Sequence, residues 1–196
     1  MTRVKAYRPA RRTLHAAAEN GDIPSIMFHL MERADINGTK SKGYFPLAGA
    51  ANNGHAQAVQ YLLDHGAHIN MASELNWTSL YTAATRQHLD VAEVLLRAGA
   101  NTGVSTHYSE YGPSREGFTA LHAAALNGNL KMIMLLLDYL ADPRDRAGRD
   151  LPEDVARLAG HAAVARVLAA KRRAMSTQKT ATKAWPTPVK SASRQG

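Results

Sequence analysis

Apolar and small residues along this chain fall into blocks that repeat. The segment Leu14-His15-Ala16-Ala17-Ala18-Glu19-Asn20-Gly21 returns as Leu47-Ala48-Gly49-Ala50-Ala51-Asn52-Asn53-Gly54. It returns again as Leu80-Tyr81-Thr82-Ala83-Ala84-Thr85-Arg86-Gln87 and as Leu121-His122-Ala123-Ala124-Ala125-Leu126-Asn127-Gly128. The leading leucines are spaced 33, 33 and 41 residues apart. After each block comes a second apolar row, such as Val59, Leu62 and Leu63, or Val91, Val94, Leu95 and Leu96, at helical i, i+3, i+4 spacing. Each period therefore predicts a pair of helices. Alanine pairs let the two helices approach closely, and Gly21, Gly54 and Gly128 break the chain between them. A shorter block closes each period: Ala34-Asp35-Ile36-Asn37, Ala67-His68-Ile69-Asn70, Ala100-Asn101 and Ala141-Asp142. A fifth, degenerate unit runs from Gly148 to Ala170.

This pattern resembles the ankyrin repeat, with its threonine-proline-leucine-histidine start, alanine pair, glycine and closing leucine run. The resemblance spans residues 13–173, with repeats near 13–42, 43–75, 76–116, 117–147 and 148–173. It implies an all-α solenoid of stacked helix-turn-helix units with protruding hairpin fingers. One repeat cannot bury its own apolar face, so neighbours must stack. Two departures predict less favourable turns: Arg33 and Leu140 stand where Gly66 and Gly99 close the second helices of other repeats. Pro24 falls in the first turn of its helix, where proline is tolerated. The polar outer helix of the fifth repeat suits the end of a solenoid.

Charge divides the chain into a body and two ends. Residues 1–12 hold Arg3, Lys5, Arg8, Arg11 and Arg12 and no acid. Residues 171–196 hold Lys171, Arg172, Arg173, Lys179, Lys183, Lys190 and Arg194, again with no acid. Half of the 24 basic residues thus lie in the ends, and all 16 acidic ones lie between them, so the net +8 belongs to the ends and the body is mildly acidic. Residues 174–196, rich in Ser, Thr, Ala, Lys and Pro, read as a basic disordered tail. That tail could be a solubilising segment, an arm for nucleic acid or an acidic membrane surface, or a signal around Lys171-Arg172-Arg173. The N-terminal segment lacks an apolar core, which argues against a secretory signal and leaves a mitochondrial presequence as a weaker alternative. No stretch reaches the roughly 18 apolar residues that a membrane span needs. With no cysteine, disulfides, thiolate metal sites and cysteine nucleophiles are excluded.

No phosphate-cradling glycine loop, nucleophile elbow or metal-protease helix motif is present, so neither an enzyme nor a cofactor is expected. The nine histidines look scattered, and a metal site among His55, His65 and His68 is not expected. The resemblance places His15 and His122 at the family's backbone-bonding histidine. Asn37 and Asn70 are expected to tie down their own turns.

Candidate contact residues are those the repeat leaves free. Counting back three from each leading leucine gives Arg11, Tyr44, Trp77 and Phe118, positions that the resemblance aims from the finger toward the concave face. Arg149 follows the corresponding glycine in the fifth repeat, and Tyr81 replaces the family's histidine. These rings either pack against the next finger or Phe45, or stay free for a partner. Tyrosine, tryptophan and arginine are enriched in interface hot spots, and the expectation is partner contact. The first helices add a polar floor of Asn52, Asn53, Thr85, Arg86 and Asn127, beside Leu126. The third finger is eight residues longer than the others and carries Tyr108, Tyr111 and Arg115. It is either a binding loop or a tolerated insertion.

The resemblance implies a protein–protein interaction module: an adaptor, inhibitor or effector, monomeric and intracellular, that grips a partner on its concave face. Cytoplasm, nucleus or a host cell would all suit it. The rival reading is a nucleic-acid- or ribosome-associated protein anchored by its basic termini.

Overall fold

The computed structural model describes residues 13–107 and 117–181. Within them ten α-helices form five antiparallel pairs: α1 (Leu14–Glu19) with α2 (Ile23–Met31), α3 (Pro46–Asn52) with α4 (Ala56–Asp64), α5 (Ser79–Arg86) with α6 (Leu89–Arg97), α7 (Ala120–Leu126) with α8 (Leu130–Asp138), and α9 (Pro152–Leu158) with α10 (Ala162–Ala181). Fingers join each pair to the next. Among the described residues their only ladder pairings are isolated bridges, Ala72 with Thr78 and Ala147 with Asp150. The architecture is the all-α stack implied by the repeat.

The helix starts follow from local chemistry. The side chains of Thr13 and Thr78 accept from the backbone N–H of Ala16 and Tyr81 at 3.3 and 3.2 Å, which satisfies donors a helix leaves open. Pro24, Pro46 and Pro152 occupy first-turn positions, where no intrahelical N–H is missed.

Stacking forms one continuous core. Leu14, Leu47, Leu80 and Leu121 line up inside it, each at most 4% exposed, and the alanine pairs beside them are buried. Because these side chains are small, the odd-numbered inner helices pack more intimately against each other than the even-numbered outer ones do. The stack therefore curves, with inner helices and fingers on its concave side.

Histidines tie successive repeats together. His55, His88 and His161 begin the outer helices of repeats two, three and five. Their Nε2 atoms lie 3.1, 3.0 and 3.1 Å from the carbonyls of Glu19, Asn52 and Leu126, at the end of the preceding inner helix. The ring of His88 lies against Gly54, where an added Cβ would sit 2.8 Å from its Nδ1; His161 lies against Gly128 in the same way, at 2.5 Å. Repeat three has Gln87 where a glycine would be expected, in the left-handed region at φ 65°. The following repeat carries Asn129 instead of histidine, and Asn127 makes the link, donating Nδ2 to the Thr85 carbonyl at 3.0 Å.

Two expectations need correction. Asn37 and Asn70 do not simply tie down their own turns: their Oδ1 atoms accept from His68 N and Asn101 N of the next finger, both at 2.8 Å. The chain also does not lose helix after Arg173, because α10 continues to Ala181. Arg172 reaches back to α9, with Nε and Nη2 at 3.0 and 2.9 Å from the carboxylate of Glu153, whose side chain is nearly buried. That two-pronged pair holds the middle of α10 against the stack and supports further turns. The rest of the expected tail, 182–196, and the basic segment 1–12 lie outside the described residues.

Arg33 and Leu140 adopt φ values of 61° and 64°, as their place at glycine positions predicts. A left-handed non-glycine residue costs about 1–2 kcal/mol, and Leu140 is 88% exposed, so little packing offsets that cost. Leu140→Gly should raise unfolding stability by about 1 kcal/mol, read as a higher urea midpoint at unchanged slope. A lower midpoint would show that the leucine contributes more than its conformation costs.

Candidate functional site

Between the second and third repeats the concave face opens into a groove of about 150 Å³. One wall is finger residues Lys42, Tyr44, Ser73, Leu75 and Trp77; the floor is Asn52, Thr82, Thr85 and Arg86 from α3 and α5. Tyr44 and Trp77 occupy the same register of consecutive repeats, each ending a finger just before an inner helix begins. The finger geometry is braced. Lys42, at φ 61°, presents its carbonyl to Glu74 N at 3.2 Å. Trp77 N donates to Ser73 Oγ at 3.2 Å, and Asn76 Nδ2 donates to Ser105 O at 2.6 Å.

Both rings are half-buried, with one side against the core. The Trp77 ring lies 5.6 Å from that of Tyr81, tilted by 44°, and its Nε1–H is buried with no acceptor among the described residues. Burial, reinforced by the nearby Glu19 carboxylate, raises the Tyr44 phenol above its usual pKa, against a smaller opposing pull from Arg86. Tyr44 therefore keeps its proton and remains a donor.

A polar chain runs along the floor. Arg86 Nε donates to Asn52 Oδ1 at 2.9 Å, Asn52 Nδ2 to Asn53 Oδ1 at 2.8 Å, and Asn53 Nδ2 to the Glu19 carbonyl at 2.6 Å. It orients an exposed guanidinium from below and leaves its two terminal nitrogens without a partner among the described residues. Arg86 also borders a second cavity of about 300 Å³, lined with Tyr81, Thr85, Phe118, Ala123, Leu126 and Asn127.

The expected stripe of rings is shorter than the sequence suggested. Phe118 is 4% exposed, because its ring stacks on His122 at 5.2 Å and the longer third finger folds Thr106 over it. Thr106 N donates to Phe118 O at 2.9 Å and Phe118 N to Thr106 Oγ1 at 3.1 Å. Tyr81, 5% exposed, is likewise a core ring that supports Trp77. Arg149 is exposed on the fourth finger, where its carbonyl accepts from Arg146. Arg11, Tyr108, Tyr111 and Arg115 lie outside the described residues. Sequence reading missed Lys42 and Leu75, although they stand one 33-residue period apart, as Tyr44 and Trp77 do.

The histidines near this region serve the stack. His65 stacks on Tyr61 at 4.1 Å, while His55 and the backbone of His68 make the links already described. Among the described residues, no group of three His, Asp or Glu side chains could hold a metal ion.

Three consecutive copies of the ankyrin repeat match residues 14–106, and a further copy matches residues 116–147. Together these matches cover well over half of the chain. The chain belongs to the ankyrin-repeat family. Ankyrin repeats are generally protein–protein interaction modules. No curated protein sequence matches this ankyrin-repeat chain. No described helix is long and apolar enough to cross a membrane.

In this stack His122 is the family's histidine, fully buried. Its Nδ1 lies 3.2 Å from Thr119 N and 2.9 Å from Thr119 Oγ1. Accepting the Thr119 N–H leaves Nδ1 no room for a proton. Burial lowers its pKa to about 4, a drop that the Asp150 backbone only partly opposes. The unfolded state then takes up the proton first, at about pH 6.5. The neutral ring's stability is complete above that pH and is lost as pH falls toward 4. The full loss is on the order of 3 kcal/mol. His122→Gln keeps an acceptor at this capping position and should remove that part of the pH dependence. Denaturant unfolding between pH 7 and pH 4 measures it. Parallel stability curves for parent and variant would contradict the assignment.

Proposed function

We propose that this chain is an adaptor, inhibitor or effector without enzymatic activity of its own, which seats a partner protein on its concave face. Tyr44, Trp77 and Arg86 are the anchors. The observation that carries this reading is the groove between two consecutive repeats, with an aromatic ring from each finger and a guanidinium at its edge. Neither ring is fully consumed by the core, and rings and arginine together are the side chains that dominate binding energy in protein interfaces. Arg149, exposed on the fourth finger, is a further candidate contact. The protomer acts as a monomer inside a cell, whether its own or one it has been delivered into.

The rival, a nucleic-acid- or ribosome-bound protein held by its basic ends, makes a different demand. Its affinity would reside in residues 1–12 and 174–196 and fall steeply with salt. Partners captured from a lysate of the source cell distinguish the two. Trp77→Ala should weaken the captured complex by at least about 2 kcal/mol, and Arg86→Gln, at an exposed side chain, should weaken it with little change in the melting curve. Gln60→Ala, on the outer face, should change neither. If both groove variants bind like the parent and removal of the basic ends abolishes binding, the concave-face reading is wrong.

A further inference from the structure

The groove's chemistry narrows what it can hold. Among the described residues, no acidic side chain lines it or the adjoining cavity. Lys42 stands on its rim, and Arg86 on the wall between the two spaces. The Glu19 carboxylate near Tyr44 is engaged with Lys40 at 3.1 Å. Arg86 is aimed by its Nε bond to Asn52, which leaves the Nη pair as a fork without a partner among the described residues. A fork of that kind matches a carboxylate, which it can hold through two parallel hydrogen bonds. Beside it, the volume of about 150 Å³ matches that of a cavity able to admit one benzene-sized group. The lining is mostly apolar, and Tyr44 and Trp77 supply flat faces.

Resting on the concave-face reading, we propose that the groove binds an extended segment of the partner carrying an aspartate or glutamate within two positions of a leucine, methionine or phenylalanine. The apolar side chain enters between Tyr44 and Trp77, and the carboxylate caps Arg86. Thr85 and the protonated Tyr44 hydroxyl lie beside that path and can bond the segment's backbone. The body as a whole is mildly acidic, so an acidic segment is drawn to this patch and repelled elsewhere, which fixes its register. A basic segment meets Arg86 with like charge.

The test uses the full chain as bait for a phage-displayed library of random peptides. The parent should enrich peptides with an acid next to a large apolar residue. Arg86→Gln should keep the apolar preference and lose the acid. Trp77→Ala should lose the apolar preference. A synthetic peptide of the enriched sequence should bind roughly tenfold or more tighter than its copy with the acid replaced by its amide, the weight of a charge-assisted hydrogen-bonded pair. Enrichment that lacks an acid but depends on Trp77 overturns the carboxylate chemistry and leaves the concave-face reading standing. Enriched peptides that bind both variants as well as the parent overturn both readings. An acid preference that survives Arg86→Gln, or a library that yields no enriched peptide, also overturns the proposal, because a groove of this kind should hold an isolated segment.

Discussion

Each helix pair here is too small to bury its own apolar surface, so nothing in the molecule is stable until repeats stack. That constraint decides which positions are free. The leading leucines and alanine pairs are spent between inner helices, and the first outer-helix rows face inward. What joins one repeat to the next is also regular. A histidine at the start of an outer helix bonds the last carbonyl of the preceding inner helix, and its ring needs a glycine to lie against. Gln87 illustrates the dependence from the other side. It can carry a side chain in a glycine's conformation because no histidine follows in the next repeat, and Asn127 bonds the Thr85 carbonyl in its place. Glycine and histidine therefore behave as one unit shared across an interface.

Function occupies the remainder. Inner helices pack closely because they carry alanine, the stack curves toward them, and the fingers line the same side. A residue that ends a finger just before an inner helix has one side against the core and one toward the concavity. Tyr44 and Trp77 are in that position. The polar chain from Arg86 through Asn52 and Asn53 to the Glu19 carbonyl crosses three repeats, so it both ties the floor together and aims the guanidinium.

Much of this was legible in the sequence. The 33-residue period gave the helix pairs, the order of the core and the left-handed residues Arg33 and Leu140. It also pointed to Tyr44, Trp77 and Arg86, which the structure brings to one groove. The period failed where a neighbour departs from it. Phe118 looked like Trp77, but the longer third finger brings Thr106 onto its backbone, a contact that repeat spacing does not contain. Tyr81 looks like a free ring because it replaces a histidine, yet in the inner repeats that position, held by Ala48, Tyr81 and His122, is buried in the stack. The helix beyond Arg173 depends on Arg172 meeting Glu153, nineteen residues away. The histidine row carries its own signal: His55, His88 and His161 each follow the left-handed turn residue after an inner helix, Gly54, Gln87 and Gly160.

The central claim is that the concave groove is where the partner sits, and hydrogen exchange reads it directly. Backbone amides of the chain are compared free and with the captured partner bound. The account predicts new protection on the first two fingers around Lys42–Tyr44 and Ser73–Trp77 and at the end of α5 near Arg86, with α4, α6 and α8 unchanged. Protection confined to those outer helices, or to the basic ends, would contradict it.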